Sequence, residues 1–406
     1  MHKVIIVGGG AAGMIAAIFA AKNGNEVLLL EKNEKLGKKI YITGKGRCNL
    51  TNDVSAREFF DFVVNNPKFL YGAINAFPPQ AVKDFFEENG LRLKTERGNR
   101  VFPASDKASD VTKTLEKVMR ETGVSVRLDT EVKAIITKDG KVTAVKTDKG
   151  TEYCDSVVVC TGGMSYPLTG STGDGYVFAK AAGHTIVKPR ASLVGIELKD
   201  NDIYDLQGLS LKNVSIKAVS DGKTVYEDFG EMLFTHYGIS GPIVLSCSCL
   251  LNELDLKKVK LVLDLKPALD EKTLDNRLIR EIDSAKGKEI KTVARSLAPS
   301  SLVPFILKRA KIHPDKKCGE LTREERRKLV SVFKNVELLP RELRPLSEAI
   351  ITAGGVNVKE INPKTMESKI ITGLFFAGEV LDVDCFTGGF NLQTAFATGF
   401  IAGKNA

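Results

Sequence analysis

The run Gly8-Gly9-Gly10-Ala11-Ala12-Gly13 and, 23 positions after Gly8, Glu31 are the residues best suited by type and spacing to hold a phosphate-bearing cofactor. Gly8 permits a tight turn out of a strand. Gly10 lets a pyrophosphate approach the backbone, and Gly13 lets the following helix press close to a sheet. The start of that helix offers unbonded N–H groups and a positive dipole end to the phosphates. An acid about 20 residues on accepts hydrogen bonds from an adenosine ribose, and its charge argues against a 2′-phosphate there.

A second glycine-rich site lies near the C-terminus. Leu374-Phe375-Phe376-Ala377 reads as a buried strand ending in Gly378-Glu379, and Thr387-Gly388-Gly389-Phe390-Asn391-Leu392-Gln393 opens a helix. A simple nicotinamide dehydrogenase needs no such partner site, whereas FAD is long enough to require one. The start of that helix also suits the negative charge that develops on a reduced isoalloxazine. FAD is therefore the expected resident cofactor, with NAD(P)H as a transient electron donor, although no second fingerprint for NAD(P)H is visible.

Flavin N5 gives or takes the hydride, so the protein's tasks are orientation, proton supply and electronic tuning. The chain has four histidines, and His236, beside Gly238-Ile239-Ser240-Gly241-Pro242, is the leading candidate for a general acid. A histidine that fixes this turn is the competing reading. Tyr237 and Tyr166 are further candidate acids, each better suited to a packing or hydrogen-bonding role. Cys48 reads as a redox thiol or, since no cysteine pairs with it nearby, as a thiol packed beside the cofactor. Cys247 and Cys249 have strand spacing and read as core. No pair among His2, His184, His236 and His313 has metal-ligand spacing. The Gly-Ile-Ser-Gly-Pro run lacks the G-x-S-x-G pattern of a serine hydrolase.

Positioning these residues falls to elements that periodicity reveals. Val4-Ile5-Ile6-Val7 and Val27-Leu28-Leu29-Leu30 read as buried strands flanking an Ala-rich helix over 14–22. Helices are expected over 56–65, 79–88 and 109–121, and strands over 124–128, 132–138, 141–148 and 156–160. From about residue 191 the texture changes. Strand-like runs at 193–199, 215–220, 223–227 and 260–265 precede a charged helical stretch over 273–333, and the buried, Gly-punctuated style returns at Ile350-Ile351-Thr352-Ala353-Gly354-Gly355. The expected organisation is a nucleotide-binding domain in two parts, 1–190 and 341–406, interrupted by a substrate or cap domain at 191–340.

Composition narrows the class. With 43% hydrophobic and 27% charged residues the chain is an ordinary globular protein. Seven cysteines without a C-x-x-C fit reduced thiols rather than a disulfide framework. The first strand starts within three residues of Met1, and no apolar run reaches the about 18 residues of a membrane span, so a cytoplasmic location is expected. Of the net charge of +9, much falls in 301–345, where twelve Lys/Arg face six Asp/Glu. The alternating signs of Arg323-Glu324-Glu325-Arg326-Arg327-Lys328 suit a solvated helix face. That argues for a small-molecule substrate rather than nucleic acid, with a basic rim available to an anionic cofactor or substrate.

Gly37-Lys38-Lys39 with Thr43-Gly44-Lys45-Gly46-Arg47-Cys48-Asn49-Leu50-Thr51-Asn52 resembles the G-[RK]-K…G-x-G-R-C-N-x-T-N hallmark of the HI0933-like flavoproteins. So do Thr161-Gly162-Gly163-Met164-Ser165-Tyr166-Pro167 through Gly175, Phe234-Thr235-His236-Tyr237-Gly238, and the C-terminal Gly-Glu and Gly-Gly-Phe-Asn-Leu-Gln runs. The resemblance implies a Rossmann-like, glutathione-reductase-like α/β domain built from both chain ends, with an insert holding a small β-barrel-like unit and helices. It also implies FAD contacts. Gly8, Gly10, Ala11, Ala12 and Gly13 would meet the pyrophosphate, and Glu31 and Lys32 the adenosine. Lys39, Arg47, Cys48 and Asn49 would follow the phosphate and ribityl chain, Val132 would meet adenine through its backbone, and Thr161, Gly162 and Gly163 would pack beside the dinucleotide. Gly378, Glu379, Asn391, Leu392 and Gln393 would lie at the ribityl and flavin end. Cys385 stands where Gly or Ala is expected, and a side chain there would narrow the flavin pocket. Activities implied by the family include NAD(P)H-driven reduction of an enone such as an unsaturated 3-oxo bile acid. The alternatives are oxidation of a small amine such as aminoacetone with O2, and a flavin-dependent RNA-modifying or non-catalytic flavin-binding role.

Overall fold

Val4 to Val7 are buried on both faces in β1 (Lys3–Val7), as a near-continuous apolar run in a parallel sheet should be. The chain returns through α1 (Ala11–Lys22) into β2 (Glu26–Leu30), which pairs parallel with β1 from Lys3↔Glu26 to Val7↔Leu30. Ser156–Val159 flanks the other edge of β1 and is itself flanked by Leu374–Phe376, while Ser125–Arg127 flanks β2. The resulting sheet has five strands, and one of them comes from the far end of the chain. The computed structural model describes residues 2–406. The described residues divide into two units, 2–192 with Pro345–Ala406, and Leu193–Arg344.

The C-terminal helix Phe390–Asn405 closes the first unit by lying directly on α1. Two glycines make that approach possible. A Cβ on Gly399 would stand 2.4 Å from the Ala12 carbonyl oxygen, and one on Gly403 would stand 2.3 Å from that of Ala16. The helix expected over 56–65 ends early, at Ala56–Phe59, and tightens into a 3-10 turn over Phe60–Phe62. Ser55 and Glu58 form a capping box that starts it, but Val63 then bridges to Cys385 and the Val64 N–H donates to the Asp384 carbonyl, which draws the chain into extended form. Pro67–Ala76 is a helix that the sequence reading passed over.

The second unit is a seven-stranded sheet in which every neighbouring pair is antiparallel. Its long hairpin, Ser210–Ser220 with Lys223–Phe234, absorbs two of the short strands expected from sequence. The two edge strands, Val336–Leu338 and Pro340–Leu343, are separated in the chain by Leu339 alone, so the sheet curls back toward itself. The charged helical stretch resolves into Glu271–Ser284, Ile290–Leu297, Val303–Ala310 and Arg323–Lys334, whose apolar faces share a core with the sheet. Cys247 and Cys249 are core residues, but of the helix Pro242–Leu251 rather than of a strand.

Connections to the insert are paired on both sides. In the first unit Ile186–Ser192 lies antiparallel to Ile351–Val356, and in the second the incoming Ile196–Leu198 lies antiparallel to the outgoing Pro340–Leu343. Leu193, at the crossing, has φ +57°, a left-handed conformation uncommon for a branched side chain.

Candidate cofactor site

The glycine turn after β1 is closed on two sides and open on the third. Gly8 has φ +102°, and a Cβ there would sit 2.6 Å from the Cys160 carbonyl oxygen. A Cβ on Gly13 would sit only 1.9 Å from the Gly8 carbonyl oxygen, whereas one on Gly10 would meet nothing within 4 Å. Gly10 is the N-cap of α1, no side chain caps it, and no acid lies in the first turn. An uncapped helix start facing open space has the geometry and dipole that suit an anion. Glu31 is buried at the end of β2. One carboxylate oxygen accepts the Gly9 N–H at 2.7 Å, and the other accepts the Asn33 N–H at 2.8 Å and the Asn33 side-chain amide at 2.6 Å. The acid thus anchors the turn from beneath. Lys32 is tied to Thr172 at 2.5 Å and Asp174 at 2.6 Å, and Val132 is a buried strand residue paired with Thr147.

Beside the turn, four distant segments converge. Lys39 Nζ donates to Ser165 Oγ at 2.6 Å and Glu379 Oε2 at 2.7 Å. Glu379 Oε1 accepts the Ser165 hydroxyl and the Thr352 N–H, each at 2.9 Å. Thr352 Oγ1 accepts the N–H groups of Met164 and Ser165. Gly163 must be small because a Cβ there would stand 2.4 Å from Thr352 Oγ1 and 3.0 Å from Glu379 Oε1. Gly378 packs on the first turn of α1, where its Cβ would lie 2.8 Å from that of Ala12. Lys39, Gly163 and Glu379 were expected at the cofactor. Ser165 and Thr352 were not singled out, because only the fold brings them to Glu379.

The loop Thr43–Asn49 is wound in left-handed conformations at Gly44, Lys45, Gly46 and Cys48. Arg47 holds it from outside. Its guanidinium donates to Glu96 at 2.6 Å, lies 3.3 Å from Asp106, and covers the Phe102 ring at 4.0 Å. Cys48 is wholly buried, and burial pushes its thiol up to about 12 against a hydrogen bond with Thr43, so it stays protonated at neutral pH. The packed reading of Cys48 is the one the geometry favours. Asn52 donates its amide to the Gly98 and Gly388 carbonyls, joining this loop to the C-terminal turn.

At that turn Asn391 accepts the Cys385 N–H at 2.9 Å and donates to the Cys385 carbonyl at 2.8 Å. Gln393 is fully buried, accepting from Thr51 and donating to the Phe77 carbonyl. Both side chains brace the start of the last helix, and Leu392 in its first turn is half-buried. Cys385 is fully buried, its sulfur 3.5 Å from Thr394 Oγ1. Buried hydroxyls of Thr161 and Tyr176 find no protein partner, and a Cβ on Gly175 would stand 2.2 Å from Thr161 Oγ1.

The candidate acids fall in both units. Tyr166, in the first, has φ +51° and is half-buried, with burial and then Glu348 raising its hydroxyl above the usual range. His236 and Tyr237 follow the long hairpin of the second. His236 is exposed and meets the Tyr237 ring edge-on at 5.0 Å. The Arg344 guanidinium lies over Tyr237 at 4.7 Å, and the Tyr237 hydroxyl fills the space a side chain at Gly195 would occupy. Buried Glu197 binds Arg344 at 2.5 Å and also Arg341. No group of three or more metal-ligating side chains exists among the described residues. No helix among them is long and apolar enough to cross a membrane.

An uncapped helix start, an open Gly10, an acid at the end of β2 and the unpartnered buried hydroxyls of Thr161 and Tyr176 fit a dinucleotide cofactor. The chain is 31% identical over 410 residues to the 3-dehydro-bile acid delta(4,6)-reductase of Clostridium scindens, covering 100% of this chain and 99% of the relative. It is also 31% identical over 402 residues to the ribosomal RNA dihydrouridine synthase of Haemophilus influenzae, covering 98% and 96%. Among solved structures, 3-ketosteroid delta1-dehydrogenase from Sterolibacterium denitrificans aligns with TM-score 0.53 at 14% identity over 99% of both chains, a likeness of fold. The HI0933-like protein Rossmann domain matches residues 2–405. By that match and by the length of these similarities, the chain belongs to the HI0933-like family.

Proposed function

We propose that this protein is an FAD-dependent oxidoreductase that reduces a C=C bond conjugated to a carbonyl, with NAD(P)H as electron donor and a small 3-oxo steroid or bile-acid type molecule as substrate. One observation carries the reading: two full-length relatives at equal identity bear names that both denote saturation of a C=C next to a carbonyl, in a dienone and in a uracil ring. When bound, FAD supplies the hydride centre. Gly8, Gly10, Ala11, Ala12 and Gly13 would seat its pyrophosphate on the start of α1. Glu31 would hold the turn and reach the adenosine beside Lys32 and Val132. Lys39, Asn49, Thr161 to Gly163, Gly378, Glu379 and Leu392 would line the remainder, with Cys48 packed behind them and Arg47, Asn391 and Gln393 acting through the loops they brace. His236 is the proposed proton donor to the carbon beside the one that accepts hydride, with Tyr237 and Tyr166 as alternatives.

Glu31→Ala is expected to weaken FAD binding at least tenfold, since it strands the Gly9 N–H and removes hydrogen bonds to a charged acceptor of about 1.5–3 kcal/mol each. Equilibrium flavin release measures this. His236→Ala should keep its flavin and slow turnover about 100-fold. Unchanged turnover at matched flavin content would remove His236 from the mechanism.

The decisive experiment is the visible spectrum under anaerobic conditions before and after NADH or NADPH. Bleaching that a 4,6-dien-3-one reverses, with slow recovery in air, is the expected result. Recovery driven by unmodified ribosomal RNA instead would favour the second reading, that of the H. influenzae relative. Bleaching only by an amine, with rapid recovery and peroxide in air, would mean an oxidase.

A further inference from the structure

Lys39 and Glu379 lie 340 positions apart in sequence and 2.7 Å apart in space. Both side chains keep some exposure, 21% and 15%, so the pair reaches a solvent-accessible surface rather than the sealed core. Its place is beside the glycine turn. Glu379 follows Gly378, which packs on Ala12, and the Thr161–Ser165 segment begins where a Cβ on Gly8 would lie 3.2 Å from the Thr161 Cα. A dinucleotide lying from the turn toward the last helix would run past this pair.

Hydrogen bonds fix the geometry on every side. Ser165 is fully buried and bonds both charges, accepting from Lys39 and donating to Glu379. Thr352, also fully buried, gives its N–H to Glu379 and takes those of Met164 and Ser165. The result is a cation and an anion held at fixed positions with no net charge. In surroundings of low dielectric such charges act over several ångströms. A pair of this kind sets the local potential without attracting a counter-ion.

We propose that the Lys39–Glu379 pair sets the electrostatic balance of the flavin site, and that Ser165 and Thr352 are positioning residues that hold it. The inference rests on the FAD reading above. Reduction adds negative charge to the flavin, so an unopposed Lys39 favours the reduced form and an unopposed Glu379 disfavours it. Loss of one partner therefore moves the balance in a direction set by the charge that remains.

The test is the flavin midpoint potential of the purified holoprotein, read by equilibration with reference dyes. Glu379→Gln is expected to raise the reduced-to-oxidised ratio at fixed dye potential about tenfold, and Lys39→Met to lower it by a similar factor. The double variant should fall between them, and Ser165→Ala, which keeps both charges, should move the ratio less than either single variant. Shifts of the same sign, or none, overturn the inference, because simple damage to the site has no reason to reverse sign. If a variant sheds its flavin, the dissociation constants of oxidised and of dithionite-reduced FAD, measured for each variant, give the same comparison by linkage. Lys39→Met should weaken binding of reduced FAD more than of oxidised FAD and Glu379→Gln the reverse, and equal changes in the two forms overturn the proposal. A wild-type protein that binds no flavin would sink the FAD reading and this inference together, whereas a flavin-bound wild type with unmoved variants sinks the inference alone.

Discussion

Gly13→Ala is expected to give a protein without flavin colour and with a lower melting temperature. The added methyl would sit 1.9 Å from the Gly8 carbonyl oxygen, and Gly8 has nowhere to go. Its N–H is bonded to Leu30, and its own Cα faces the Cys160 carbonyl. Either α1 lifts off the sheet or the turn distorts. Overpacking of this kind costs about 1–3 kcal/mol or somewhat more, and the strain falls on the turn that would seat the pyrophosphate. Gly10→Ala is the matched control. Its Cβ meets nothing and its φ of −82° suits any residue, so that variant should melt like wild type and still bind FAD poorly. Thermal unfolding and flavin content of the two variants separate support of the fold from contact with the cofactor. Normal melting with bound flavin in Gly13→Ala would mean that the helix stands away from the strand.

Glu197→Ala is expected to destabilise the second unit by about 2–3 kcal/mol. Breaking a buried ion pair by removing one partner costs about 3–5 kcal/mol, and the lower figure here reflects two arginines that can still reach water. Their side chains are 56% and 24% exposed, against 8% for Glu197. The effect depends on pH. Burial opposes ionisation of Glu197, but hydrogen bonds from Arg344 and Arg341 outweigh it and hold the carboxyl below its ordinary value. A carboxyl lowered in the folded state stabilises above its unfolded pKa and loses that contribution as pH falls through the folded one. The gap in melting temperature between wild type and Glu197→Ala should therefore be full at neutral pH and shrink below the usual carboxylate range of about 4. A gap that does not change with pH would assign the loss to packing.

Which features could be read beforehand follows from how locally each is determined. β1, its glycine turn, α1 and β2 were legible because turn chemistry, apolar run and acid all lie within about thirty residues of one another. The last strand and helix were legible for the same reason. The short helix after Ser55 was overextended because its end is decided by Cys385 and Asp384, more than three hundred positions away. Distance likewise hid Ser165 and Thr352, whose roles exist only once Lys39 and Glu379 meet. Arg47 and Gln393 carried the right motif, but motif alone cannot say whether a side chain turns toward a ligand or toward Glu96, Thr51 and the Phe77 carbonyl. Cys247 and Cys249 were assigned the wrong element because two positions apart is strand spacing, whereas a helix buried nearly all round its axis conceals its period.

The strands that lead into and out of the second unit are bonded to one another, and so are the strands of the first unit from which they depart. Each unit therefore closes its own end of the two crossings with a pair of bonded strands. All residues of the second unit lie in one contiguous stretch, so a single gene segment can be exchanged as a whole while every strand of the parallel sheet is kept.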